Sequence, residues 1–365
     1  MKNSRYIIVG ITLLIVGFLV YYFSSIVAYV LIAWVFSLIG QPIMDLLMDK
    51  LNLKRFKWGA SMSAIISMLT IVGVFGLLIQ IFVPRIITQF STIDYDKFTI
   101  LLNEPIYDLD QWLQKKGINL SVENGAVELS KMIKDWLRPE KIGEIFNSLI
   151  TVASNFLIGA FSIFFITFFF LKEENLFTNI FVSIVPGKYE KKVRDSIVDI
   201  RTLLTRYFGG ILIQITIIII FVSFGLKIMG VQNALLIAFF AAIINVIPYV
   251  GPLIGALFGV VLTISASVDL DMEFYAQTLP LILKVVGVFA LMQAMDNFIL
   301  QPYIFSKRVN AHPLEVFIII LVGSQLAGIP GMILAIPTYT VFRVIARSFL
   351  SQFKVIRSIT KSLGE

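Results

Sequence analysis

Cysteine is absent from this 365-residue chain, and histidine occurs once. The first absence excludes a disulfide framework, a thiolate metal site and a cysteine nucleophile. The second removes most metal-site schemes, which draw on several imidazoles. Charge is also scarce. Asp, Glu, Lys and Arg make up 15% of the residues, where a soluble domain carries about 25%. Hydrophobic types fill the space at 58%, and the mean hydropathy is +0.90. These values place the chain among integral membrane proteins. Its apolar runs are continuous rather than alternating, which argues for helices over an outer-membrane barrel. A hydrocarbon core of roughly 30 Å takes about 20 apolar residues in a helix, and several runs here reach that length.

The net charge of +7 does not point to nucleic acid, because the excess cations cluster near the ends of apolar runs, as topology signals do. The first run, Tyr6 to Phe23, follows Lys2 and Arg5. No small-residue cleavage site follows it, so it reads as a retained first helix rather than a signal peptide. Helices are expected at about 6–24, 27–48 and 58–83. The loop DKLNLKRFKW between the second and third holds four cations and one acid, which places it and the amino terminus in the cytoplasm. Beyond Pro84 the composition changes. Residues 85–149 hold eight Lys/Arg and ten Asp/Glu, and read as a small helical insert on the outer side.

Residues 150–171 form the next span. After it, Val193, Ile197, Ile200 and Leu204 recur at helical spacing, with Lys191, Arg194, Asp195 and Arg201 elsewhere. That pattern fits a basic amphipathic helix along the cytoplasmic membrane surface, or a soluble helix packed on another domain. Spans at 207–228, 233–247, 252–267 and 278–295 follow. A long apolar region, 314–347, is interrupted at Gly328–Gly331, which suggests a re-entrant hairpin or two short helices. Arg343, Arg347, Lys354, Arg357 and Lys361 mark a cytoplasmic carboxyl end. The predicted fold is all-α: a polytopic helical membrane protein with about eight membrane segments, some broken or re-entrant in the last third, plus the insert. The expected division runs 1–84, 85–149, 150–206, 207–347 and 348–365.

Three places interrupt the helices: NVIPYVGP at Asn245–Pro252, Asp296–Pro313, and SQLAGIPGMILAIP at Ser324–Pro337. Proline removes a donor and opens the carbonyl ladder. Lipid cannot satisfy the freed groups, so broken backbone at membrane depth belongs where protein or water covers it. In secondary transporters such breaks mark substrate sites. A packing kink is the plainer alternative for each, since Pro and Gly are common in membrane helices. Asp296 ends the run Ala290–Met295. A carboxylate there needs a partner or water. It could bind a cation, carry a proton, or cap the next turn. Arg308 is a possible partner, or with Lys307 a topology cation. Lys284 lies inside a span and can snorkel outward. His312 precedes Pro313 and reads as a cap or structural residue, with proton coupling as the alternative; no metalloprotease spacing surrounds it. Gly251, Gly255 and Gly259 recur every four residues, which permits close helix approach.

At these breaks the sequence resembles the AI-2E family, the autoinducer-2 exporter-like permeases. The stretches that carry the resemblance are NVIPYVGPLIGALFGVVLT at 245–263, the segment 296–344, and LKEEN after the fourth span. The resemblance implies an oligomeric polytopic permease of the bacterial plasma membrane that exports a small polar solute or signal; the cation pattern sets both termini in the cytoplasm. Some members look like sodium(lithium)/proton antiporters. Carried over residue by residue, it points to Pro248, Gly251, Pro252, Asp296, Asn297, Pro302, His312, Pro313, Gly328, Gly331 and Pro337. Asp296 and Asn297 belong to the expected solute or ion pathway, to which the polar residues at the breaks add Asn245, Gln301, Arg308 and Gln325; the prolines and glycines, with Pro330 added, are the expected helix breaks and gating positions. GSQLAGIPG departs from the family pattern at Gln325 and Pro330.

Expected partners are membrane lipid, a small-molecule or ion substrate and further copies of the chain. No cofactor is expected beyond a coupling proton or sodium ion. An enzyme is disfavoured, because no zincin, phosphate-loop or paired-aspartate motif occurs. A non-transporting scaffold acting through the 85–149 insert remains a separate class.

Overall fold

The computed structural model describes residues 17–18, 22–50, 52–91, 95–115, 159–173, 175–304 and 313–351. All regular structure among them is helical, because a helix satisfies its own backbone in an apolar run. The helices are α1 (Ser24–Lys50), α2 (Gly59–Ser91), α3 (Tyr95–Lys115), α4 (Gly159–Lys172), α5 (Leu176–Ile184), α6 (Gly187–Ile228), α7 (Ala234–Ile244), α8 (Val250–Asp269), α9 (Leu279–Met295), α10 (Gln301–Ile304) and α11 (Pro313–Leu350). π-helical turns at Phe274–Thr278 and Asp296–Leu300 flank α9. Among the described residues six helices are long and apolar enough to cross a membrane, and three shorter apolar ones accompany them. Most of the expected first span, most of the insert, and Lys307, Arg308 and His312 lie outside the described residues.

Two expected boundaries differ. α2 runs through Pro84 to Ser91 instead of stopping at 83; a single proline costs one helix bond but does not end a membrane helix whose neighbours cover the gap. The amphipathic stretch and the span 207–228 are one helix, α6, with no proline and no left-handed residue to separate them.

The chain forms two compact units, residues 1–75 with 150–197, and residues 76–149 with 198–365. The first packs through small residues. Gly40 leaves room for the Ile71 and Leu171 methyls, and the Tyr29 ring lies against Gly159 where a side chain would collide. Thr167 Oγ1 donates to the Ala33 carbonyl at 3.3 Å.

The second unit is built on α6–α9 and α11. Its core joins Val222 and Leu226 of α6, Ile237 and Ala241 of α7, Leu262 of α8 and Val285 and Met292 of α9. The Phe82 ring of α2 stacks on Phe239 at 3.7 Å between centroids. Three contacts register α6 against α9: Gln214 with Asp296, Gly225 with Val288, and Met229 with Lys284. Numbers rise on one helix as they fall on the other, so the pair is antiparallel. α6 ends in a Schellman motif. Gly230 at φ 78° turns the chain, Val231 N–H bonds the Leu226 carbonyl at 3.0 Å and Gly230 N–H bonds the Lys227 carbonyl at 3.1 Å.

The glycine stripe of α8 packs as its spacing predicts. Gly251 meets the Ile244 carbonyl, Gly255 meets Ala241, and Gly259 meets Ile237, Val285 and Phe289. α11 is a helical hairpin. In a straight helix Glu315 and Tyr339 would be about 36 Å apart, yet Tyr339 Oη donates to Glu315 Oε2 at 2.8 Å. Gly323 lies against the Gly331 carbonyl and Ala335. Gly328 makes the reversal at φ +59°, a conformation that costs a side-chain-bearing residue about 1 kcal/mol or more. The two arms, Leu314–Leu326 and Gly331–Leu350, close over the α7–α8 break through Ile320, Ala335 and Ile247.

Candidate functional site

Asp296 is 1% exposed, at the joint between α9 and a π-helical turn. Its backbone is helical, at φ −60° and ψ −52°, so it closes α9 and does not N-cap the turn that follows, a place Met295 takes. A carboxylate in such a place is costly unless its oxygens find donors. Both do. Gln214 Nε2 of α6 donates to Oδ1 at 2.6 Å, and Gln301 Nε2 donates to Oδ2 at 2.9 Å. The π turn makes the second bond possible. Residues five apart diverge on an α-helix, and the wider i→i+5 turn realigns them. Gln301 Nε2 also reaches Asn297 Oδ1 at 3.2 Å, and Gln293 Nε2 reaches the same oxygen at 3.0 Å. The result is a connected run of Gln293, Asn297, Gln301, Asp296 and Gln214. Among the described residues no cation pairs with Asp296.

Two buried amide oxygens have no hydrogen-bond partner among the described residues: Gln293 Oε1 and Asn245 Oδ1. Each such acceptor costs about 1–3 kcal/mol when left dry. Asn245 is 5% exposed in the α7–α8 break. There Tyr249, at φ 66°, turns the chain, and its ring meets Phe317 of the hairpin at 6.3 Å between centroids. A second polar group lies within the hairpin. Arg343 is 2% exposed, and its guanidinium sits 5.6 Å from the Tyr339 ring centroid, whose hydroxyl holds Glu315.

The structure therefore gathers Asp296, Asn297 and Gln301, and sets Asn245 apart from their hydrogen-bonded run. Gln325 is exposed on the first hairpin arm. Pro248, Gly251 and Pro252 form the α7–α8 break, Pro302 lies in α10, Pro313 opens α11, and Gly328, Pro330, Gly331 and Pro337 lie at or beyond the hairpin turn. Sequence reasoning missed Gln214 and Gln293. Their signal was a lone amide inside an apolar run, ILIQITI and ALMQAM. It counted Arg343 among the cations that mark the carboxyl end and did not foresee its burial against Tyr339, four residues earlier on the same helix face. Among the described residues no group of three or more Asp, Glu, His or Cys is gathered.

The model of the AI-2E family transporters matches residues 10–351. The chain belongs to the AI-2E family. Three curated relatives share the name "Putative transport protein": YueF and YrrI of Bacillus subtilis (strain 168), and MJ1177 of Methanocaldococcus jannaschii. YueF is 31% identical over 60% of this chain and 56% of its own. YrrI is 30% identical over 54% and 53%, so this chain spans about half the length of these two. MJ1177 is 24% identical over 89% of each. The AI-2E match covers both compact units and every residue of the Asp296 cluster, and the apolar helices make this a multi-pass membrane protein.

Proposed function

We propose that this chain is a secondary transporter that moves a small polar solute outward across the plasma membrane by alternating access. The run around Asp296 is the place where solute or coupling ion binds. The observation that carries this is a fully buried carboxylate whose side-chain donors among the described residues are two amides, on a π turn, in a family of transporters. Amides orient the carboxylate without neutralising it, which leaves it available to a cation, a proton or a donor group of the solute. The breaks at Asn245–Pro252 and Gly328–Gly331 act as hinges, since positive-φ turns at Tyr249 and Gly328 give each element a point where the chain changes direction. Both termini lie in the cytoplasm, on the charge pattern.

Efflux of polar metabolites from loaded proteoliposomes tests the proposal. The wild type exports at least one of them, and Asp296→Asn lowers that flux about tenfold or more, the cost of one charged hydrogen-bonding group. Equal flux in the two proteins, both inserted and monodisperse, overturns it. The same carboxylate, without a cation partner among the described residues, would serve a sodium(lithium)/proton antiporter. Proton movement on adding sodium or lithium, lost in Asp296→Asn, selects that form.

A further inference from the structure

A second polar feature stands well away from Asp296. A cavity of about 760 Å³ opens between the end of α2, the end of α6 and the start of α7. Arg85 and Thr88 line it from α2, Ser223 and Lys227 from α6, and Asn233 from the α6–α7 turn. Along the antiparallel α6–α9 pair, Lys227 is thirteen residues from Gln214, about 20 Å at the helical rise. The cavity therefore lies at the opposite end of the helix pair from the Asp296 cluster.

The charge in it is one-signed. Arg85 and Lys227 are both exposed to the cavity side of solvent, and among the described residues neither has an acidic partner. Helix-end chemistry accounts for only part of this pairing. Lys227 sits in the last turn of α6, where a cation complements the carbonyl end of a helix. That end is already served: the Schellman motif takes the Leu226 and Lys227 carbonyls, and Lys284 Nζ of α9 reaches the Met229 carbonyl at 3.5 Å. Arg85 has no helix end to serve, since α2 continues to Ser91. The Asn233 side chain does not cap α7. Its Nδ2 donates instead to Gln89 Oε1 at 3.2 Å, tying the turn to α2 across the cavity rim. That bond and the Gly230 turn hold the two cation-bearing helices at a set spacing.

We propose that this cavity is an anion-binding site, taking a carboxylate or phosphate group between Arg85 and Lys227. Arg85 offers a forked pair of donors to two oxygens, and Lys227 supplies a second point charge. Ser223 adds a hydroxyl from α6, while the Thr88 hydroxyl donates to the Pro84 carbonyl at 2.9 Å and lines the cavity without serving the anion. On the topology that the charge pattern favours, this end of the helix pair faces outward. The group can belong to a soluble anion or to the headgroup of an acidic lipid.

The test is direct binding to the full-length chain in neutral detergent. Inorganic phosphate is titrated by calorimetry, and phosphatidylglycerol against phosphatidylcholine by native mass spectrometry. Saturable binding of either anion is expected. Arg85→Gln and Lys227→Gln each weaken it about tenfold, the loss of one charge-assisted bond. Arg85→Lys restores part of it. Asp296→Asn leaves it unchanged, so the result stands or falls apart from the transport proposal. Phosphate binding without phosphatidylglycerol binding assigns a soluble anion. Phosphatidylglycerol binding that phosphate does not displace assigns a lipid headgroup. The proposal is overturned if neither probe saturates, if phosphatidylcholine binds as tightly, or if the two Gln variants and the Arg85→Lys variant bind like the wild type.

Discussion

Gln214 and Asp296 are 82 positions apart in sequence, and no local pattern joins them. Asp296 itself stands out, because an acid at the end of an apolar span needs a reason. Gln214 stands out less, since a neutral amide in a span signals that it needs a partner but not which one. What unites them is the register of α6 against α9, which depends on Gly225 admitting Val288 and cannot be read from either run alone. The prediction at this scale concerns the amide. Gln214→Leu leaves Asp296 Oδ1 without its donor in a buried place, which costs about 1–3 kcal/mol. It should lower the melting temperature in detergent and weaken transport, while Gln214→Asn does less harm. Unchanged stability in Gln214→Leu would show that Oδ1 does not depend on this bond. Arg343 teaches the converse. Counting cations near an end finds topology signals but is blind to burial, and only the tyrosine one turn earlier hinted at its stacking.

Elements were more legible than contacts. The glycine stripe of α8 announced close packing by its spacing alone, and the GIPG interruption announced a reversal. The length of α6 was legible too, had the absence of any breaker outweighed the change from amphipathic to apolar. Two glycine comparisons test the packing account. Gly251→Ala places a methyl against the Ile244 carbonyl, whereas Gly287→Ala on α9 meets open space. The first should cost several degrees of thermal stability. The second should be neutral or stabilise, since alanine exceeds glycine by about 1 kcal/mol in a helix. In the hairpin, Gly323→Val collides with the Gly331 carbonyl and should part the arms. Protease sensitivity of α11 in the purified variant reads this out, and wild-type resistance would contradict the hairpin packing.

At the scale of the whole molecule, composition and the length of the apolar runs declared a helical membrane protein, because charge this scarce beside continuous runs of about 20 apolar residues suits a bilayer better than a soluble core. The family followed from the carboxyl-terminal motifs. The solute did not, since its recognition rests on a handful of amides and one carboxylate whose spatial grouping is tertiary. The central claim is that this grouping carries the transported species. Everted membrane vesicles holding the wild type or Asp296→Asn, matched for protein content, can be screened by mass spectrometry for polar metabolites that accumulate when energised. The account predicts at least one metabolite that concentrates in wild-type vesicles and falls to the level of empty vesicles in the variant. A metabolite concentrated equally by both would show that transport proceeds without the Asp296 carboxylate, and would contradict it.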